Sequence, residues 1–388
     1  MYNCFGLPGR SAGQSYALVY RGIIEMHREQ YLSLVLAGMV LLSFGGCNKA
    51  EDSDAITDTT AGFIVSEGLD QTEMTQTETS ETSAATTEIT ESSIEFNPHV
   101  YVSKLSTVIP QDHWESFYNL CDALRAGEDT FECSSQEAYD WATDPVTLNE
   151  LFPAACMRIS GKSDDGSVPF ENGVGRIYYQ MPVEEYVARQ AEFEAIIADV
   201  LNTYLEPDDN DFEKCLKLYD YMESTYFYEE IPQYSGNGAS YYTIMNRKGV
   251  CYELSSVYSY LLLQVGVDAL NVGCYAPGMD HAWTYVVVDG VGYHVDATWS
   301  LKSYLYNDDL CLEYFMMTDD NRTASGCPVD DLTVPLLPGY WVKFSTVTFE
   351  APEQKYHFSS VSRYRYLDED EKILYYDDSE GLYSVSYA

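Results

Sequence analysis

Basic residues are scarce in this sequence. Its 388 residues carry 62 acids against 21 lysines and arginines, a formal net charge of -41. A surface of that sign repels phosphate backbones and anionic headgroups, which excludes nucleic acid or anionic lipid as a charge-driven partner. Long apolar runs are lacking too: the run from Tyr31 to Phe44 is shorter than the roughly 20 residues a helix needs to cross a bilayer. The ten cysteines include no CxxC pair and no metal-ligand spacing, so neither metal nor cofactor is expected. The acidic cluster Asp208-Asp209-Asn210-Asp211 lacks the alternating ligands, glycine and closing glutamate of a calcium loop. It reads instead as the N-cap and first-turn acids of a helix through Leu216, Tyr219 and Met222.

Residues 1–25 show no useful pattern, and the true start is expected at Met26. His27 and Arg28, the apolar run and then Gly45-Gly46-Cys47 read as a secretory signal. The small residues before Cys47 resemble a bacterial lipoprotein processing site, although Phe44 stands where that pattern prefers leucine. The resemblance implies a lipidated Cys47 at the mature N-terminus and a protein anchored outside the cell membrane, with a secreted form as the alternative. Residues 48–97 are rich in Thr, Glu and Ser and carry no base after Lys49. Such a segment cannot bury enough apolar surface to fold and is expected to be a disordered, extended tether.

The remainder divides into a mainly helical region (98–205), a core (206–335) and a β-rich end (336–388). Trp114, Phe117, Tyr118, Cys121 and Leu124 share a helical face. Further helices are expected over Ser134 to Trp141 and Val183 to Leu205, with a strand around Ile177 to Gln180. Past Leu337 the alternation over Trp341–Phe349, Tyr356–Tyr366 and Ile373–Tyr387 predicts a meander, with turns at Asp368-Glu369-Asp370-Glu371 and Asp377 to Gly381. Its tyrosines suit packing, or a glycan or peptide surface.

The chemistry concentrates between Lys248 and Leu301. Leu254, Val257, Tyr258, Leu261, Leu262 and Val265 recur with the period of a helix that has one buried face. Gly266 caps it, and Gly249 suits a sharp turn before it. Cys251 therefore sits in the first turn, where unpaired amide donors and the helix dipole favour a thiolate. His281 to Val288 and Tyr293 to Trp299 read as strands joined at Asp289-Gly290. A two-residue loop pairs Val288 with Val291 and sets Asp296 opposite Trp283, diagonal to His281 on one face. A thiol, an imidazole and a carboxylate are the parts of a nucleophilic acyl-transfer site. His294 shares the Asp296 face but lies nearer the turn, which favours a structural role. Tyr241 or Tyr242 could supply or support a second oxyanion donor beside the Cys251 amide. The remaining cysteines, Cys121, Cys133, Cys156, Cys215, Cys274, Cys311 and Cys327, cannot be paired from sequence.

Lys248-Gly249-Val250-Cys251, Asp280-His281-Ala282-Trp283 and Tyr293-His294-Val295-Asp296-Ala297-Thr298-Trp299 together resemble the transglutaminase-like superfamily, a branch of the papain-like cysteine fold. The resemblance spans about residues 212 to 320. It implies an α+β fold, with Cys251 as nucleophile, His281 as base and Asp296 as its orienter. It also implies a protein, peptide or cell-wall peptide substrate, and a strand at Tyr314 to Thr318 closing the sheet. Relatives often carry a small residue in the turn after the cysteine. Tyr252-Glu253-Leu254 departs from this, altering the acyl pocket or setting a carboxylate beside it. No feature marks an amine site, so water is the default acceptor and hydrolysis the default reaction. A protein-crosslinking transglutaminase and a non-catalytic binding module that keeps the fold are the alternatives.

Overall fold

The computed structural model describes residues 93–163, 166–229, 239–276, 279–301, 309–337, 339, 341–356 and 358–388. The signal-like segment, Cys47, most of the expected tether and Ser235-Gly236-Asn237-Gly238, whose composition predicts a turn, lie outside the described residues. Residues 92–388 form one compact α+β unit. Folded chain begins earlier than composition suggests. Asn202 Oδ1 accepts the Ile94 N–H at 2.8 Å while its Nδ2 donates to the Ile94 carbonyl at 2.7 Å. Gln264 holds Asn97 in the same two-bond manner, at 2.8 and 2.9 Å. These side-chain amides satisfy the backbone as a neighbouring strand would, so residues 94 and 97, which composition assigns to a tether, are held to the folded unit.

Helix α1 (Gln111–Ala126) buries Trp114, Phe117, Cys121 and Leu124 as its period predicts, and Leu120 as well, while Tyr118 is half-buried; Gly127, at φ 73°, ends it. Helix α2 (Gln136–Ala142) starts at Ser135, whose Oγ accepts the Ala138 N–H at 3.0 Å. Helix α3 (Pro145–Leu151), not foreseen from the sequence, follows an Asp144 cap with proline in its first turn, a combination that satisfies one orphan amide and omits another. Strands β1 (Thr130–Glu132), β3 (Phe170–Glu171) and β4 (Val174–Arg176) form a small antiparallel sheet, and β2 (Ile159–Ser160) pairs with β5 (Tyr178–Tyr179). The strand expected over 177–180 is thus only the short β5. Helix α4 spans Val183–Tyr204. Helix α5 (Asp211–Thr225) opens with a capping box between Asn210 and Glu213, while Asp209 turns to Lys217 at 2.6 Å. The acidic cluster is a helix start.

In the core, β6 (Phe227–Tyr228) runs parallel to β7 (Lys248–Gly249), with α6 (Ala239–Asn246) between them in sequence and α7 (Cys251–Gln264) next. A four-stranded antiparallel sheet has the order β10-β9-β8-β11, from β8 (Asp268–Ala276), β9 (Met279–Val288), β10 (Val291–Val295) and β11 (Leu332–Thr333). Helix α7 packs across β8 and β9. The one-faced period of α7 understates its burial, because every residue from Glu253 to Gln264 is buried. Its second face is polar and paired: Ser255 Oγ donates to Asn271 at 2.8 Å, and Thr284 Oγ1 donates to the Ser255 carbonyl at 3.0 Å. Buried hydroxyls with partners cost little.

Two expected strands are corrected. Tyr314 to Thr318 contributes only an isolated bridge, His294 to Met317, because Met316 turns the chain at φ 52°. The segment lies along β10 at one edge of the sheet, and β11 forms the opposite edge beside β8. Trp341 to Phe349 holds a short 3₁₀ turn, Val342–Phe344, and irregular chain. Helix α8 (Asp319–Ala324) lies between these segments. The meander begins at β12 (Arg363–Asp368) and continues through β13 (Ile373–Asp377) and β14 (Leu382–Ser386). It docks on α5, where Glu213 Oε1 accepts from Lys372 Nζ at 2.7 Å and from the Tyr387 hydroxyl at 2.8 Å. The Tyr387 ring stacks on Phe212 at 4.7 Å.

Candidate active site

Cys251 is the first residue of α7 and is half-buried. Val250 precedes it in extended conformation, and Glu253 Oε2 accepts the Val250 N–H at 3.0 Å. The Glu253 carboxylate is therefore a helix cap. Gly249 is required by packing: a Cβ there would stand 2.9 Å from Thr243 Oγ1 on α6.

The hairpin has the expected register. Val291 faces Val288 across Asp289 and Gly290, whose φ values of 53° and 78° are those of a type I′ turn. His294 pairs with Tyr285 and Val295 with Thr284, which carries Asp296 to the position across from Trp283. The diagonal contact forms: His281 Nε2 lies 2.7 Å from Asp296 Oδ2. With Nε2 so engaged, the ring's other nitrogen, Nδ1, is left for the Cys251 side chain, which hydrogen-bonds to the imidazole. Burial alone would lower the His281 pKa, but the Asp296 carboxylate and Cys251 outweigh it and push it up to about 10.

Asp296 is fully buried and uses both oxygens. Oδ1 accepts the N–H groups of Thr298 and Trp299, each at 3.1 Å, capping the helical turn that begins at 297. Oδ2 takes His281 and also Arg322 Nη1 at 2.6 Å. Burial would raise this carboxyl, yet His281 and Arg322 together hold it below the usual range. Every lone pair has a donor, which is what keeps a buried carboxylate ionised and fixed.

Arg322, on α8, was not anticipated. It is fully buried, its guanidinium carbon 4.2 Å from the Trp299 ring centre and 4.8 Å from that of Trp283. The imidazole of His281 stacks on the other partner of that layer, Trp299, at 4.6 Å and 17°. The tryptophan in the third motif was visible in the sequence, whereas nothing in Asp319-Asp320-Asn321-Arg322 signalled a cation for the site.

His294 is a structural histidine. Trp283 Nε1 donates to its Nδ1 at 2.9 Å, so Nδ1 is an acceptor and the proton of a neutral ring sits on Nε2, which meets Asp319 Oδ1 at 2.9 Å. Burial keeps its pKa below the ordinary value. Because Asp319 begins α8, this chain of bonds also positions Arg322.

The Tyr241 ring packs against Phe193, with centroids 5.5 Å apart, and the Arg158 guanidinium lies 3.8 Å from its centre, surroundings that suit the packing role the sequence also allows. Tyr242 packs edge-on against Tyr241 at 5.2 Å. A second unforeseen element supports the nucleophile helix from the N-terminal region. Buried Glu150 accepts Ser256 Oγ at 2.8 Å and bonds the Tyr252 side chain, while Asn149 Oδ1 accepts the Ser240 N–H at 3.1 Å. Thus α3 ties α6 to α7 on either side of the turn that presents Cys251.

A thiol at a helix start, facing an imidazole and carboxylate on an adjoining antiparallel sheet, is the architecture of cysteine-dependent acyl-transfer folds. Residues 199–297 match the family model described as the transglutaminase-like superfamily. That superfamily includes cysteine-dependent enzymes. Two solved structures align in part: a candidate cysteine protease from Cytophaga hutchinsonii (16% identity, TM-score 0.26, 40% of this chain and 45% of that one) and a TGase (17% identity, TM-score 0.24, 31% and 34%). The chain spans less than half the length of either. No curated protein matches it significantly.

Proposed function

We propose that this protein is an exported cysteine-dependent enzyme that hydrolyses a peptide or carboxamide bond, with Cys251, His281 and Asp296 as its triad. The observation that carries the reading is the His281 Nε2 to Asp296 Oδ2 bond of 2.7 Å, which turns the opposite side of the ring to the Cys251 thiol. The sulfur attacks the carbonyl carbon, its proton having passed to His281. The oxyanion that forms faces the backbone N–H groups at the start of α7, which stabilise developing negative charge there. His281 then gives its proton to the departing amine, leaving a thioester. Water attacks the thioester, His281 takes one of its protons, and the acid is released as the thiol is regenerated. Asp296 stabilises the imidazolium throughout and fixes its orientation. The leader implies display outside the cell on a lipidated Cys47, held off the membrane by the acidic tether.

Alkylation of Cys251 by iodoacetamide across pH, with His281→Ala and Asp296→Ala alongside, tests the pair. A reactive thiol that slows by about tenfold or more without His281 is expected. An unreactive Cys251, indifferent to both changes, would sink the enzyme reading, and partner binding that survives Cys251→Ala would point to a binding module. Intact mass of a peptide library incubated with an amine donor separates the two reactions. Water-derived acids are expected, and amine incorporation would reject hydrolysis in favour of crosslinking.

A further inference from the structure

Cys274 and Cys327 play no part in the proposed reaction, yet both lie beside its groups. Cys274 is on β8, paired in register with His281 on β9 and with Leu332 on β11. Cys327 follows α8, its N–H bonded to the Arg322 carbonyl at 3.3 Å. Both are buried free thiols, and the two side chains interact with each other and with the nearby Arg322 guanidinium. Other buried cysteines pair differently: Cys133 and Cys156 direct their sulfurs at backbone carbonyls, and Cys311 accepts from Arg363. Among the described residues, Cys274 and Cys327 are the pair whose sulfurs are each other's partners.

We propose that Cys274 and Cys327 form a disulfide during folding in an oxidising compartment. It would staple the segment after α8, and with it Arg322, to the strand beside His281. Burial decides the timing. The folded chain shields both sulfurs, so the bond forms while the segment is still docking and is afterwards protected from reductants. With glutathione disulfide as the oxidant, the Cys274 thiolate attacks one of its sulfurs and releases a glutathione thiolate. The Cys327 thiol then loses its proton, attacks the Cys274 sulfur and expels the second glutathione. Two protein thiols are oxidised, one glutathione disulfide is reduced, and the chain loses two hydrogens. The cross-link encloses the hairpin and α8, and closing a loop of that size restricts the unfolded chain.

The test is refolding of the full chain in a glutathione redox buffer, then alkylation under denaturing conditions and peptide mapping without reductant. A chain about two hydrogens lighter is expected, with Cys274 and Cys327 in one cross-linked peptide pair and a Tm several degrees above that of the dithiothreitol-refolded chain. The same cross-link in Cys251→Ala keeps the result independent of whether the protein is an enzyme. Cys274→Ser and Cys327→Ser should each abolish it, and the wild-type map decides even if a variant fails to fold. Quantitative alkylation of both thiols after oxidative refolding, or a Cys251–Cys274 cross-link in their place, would overturn the proposal.

Discussion

Arg322 and His281 meet on one atom: Nη1 of the first and Nε2 of the second lie 2.6 and 2.7 Å from Asp296 Oδ2. The residues come from different elements, α8 and β9, and the carboxylate that joins them caps a third segment. A buried charge with that many partners is stable only while all are present.

Arg322→Ala should therefore lower stability by about 3–5 kcal/mol, since it leaves Asp296 buried beside an empty slot between two indoles. Arg322→Lys should recover only part of this, because an ammonium matches neither the stacking nor the planar geometry. Urea unfolding measures both; a loss below about 1 kcal/mol for Arg322→Ala would show that Asp296 does not depend on it.

The His281 pKa is raised from 6.5 to about 10, so its protonated form is favoured in the folded state. The stability it contributes is fully present below about pH 6.5 and is lost as pH rises towards 10. Unfolding free energy of the wild type should fall across that window. The His281→Gln chain should show a shallower slope, and parallel curves would contradict the raised value.

His294→Ala removes the acceptor of Trp283 Nε1 and the partner of Asp319, at an expected cost of about 2 kcal/mol or more. If His294 only supports α8, the alkylation rate of folded Cys251 should stay within about threefold of wild type, against the larger drop for His281→Ala. An equal drop in both would make His294 part of the chemistry.

Glu213 anchors the C-terminal sheet. Burial would raise its pKa, but Lys372, the Asn210 N–H and the Tyr387 hydroxyl hold it below 4.5. A lowered carboxyl stabilises above its unfolded value and loses that contribution as pH falls. Glu213→Gln should thus be less stable than wild type at pH 7, with the gap closing below about 4.5. Tyrosine fluorescence during acid titration follows it; a gap that persists at pH 3 would assign the loss to packing alone.

Local signals in the sequence carried far in this protein. The Asp289-Gly290 turn determines the register of β9 and β10, and since side chains alternate with a period of two, the register determines that His281 and Asp296 share a face. The start of α7 at Cys251 and a helix start within Asp208 to Asp211 were legible for similar reasons. What failed were elements whose conformation depends on distant neighbours. Strand β8, buried in mid-sheet, has no alternation to read, and Tyr314 to Thr318 looked extended until Met316 turned it.

The sequence by itself determined the nucleophile's helix, the hairpin and the diagonal pairing, because each follows from residues within a few positions of one another. Only the tertiary structure decided what surrounds them. Arg322 reaches Asp296 from 26 residues away, and Glu150 reaches Ser256 across 106. Such contacts depend on how elements dock, which is set by the summed burial of whole faces rather than by any local pattern.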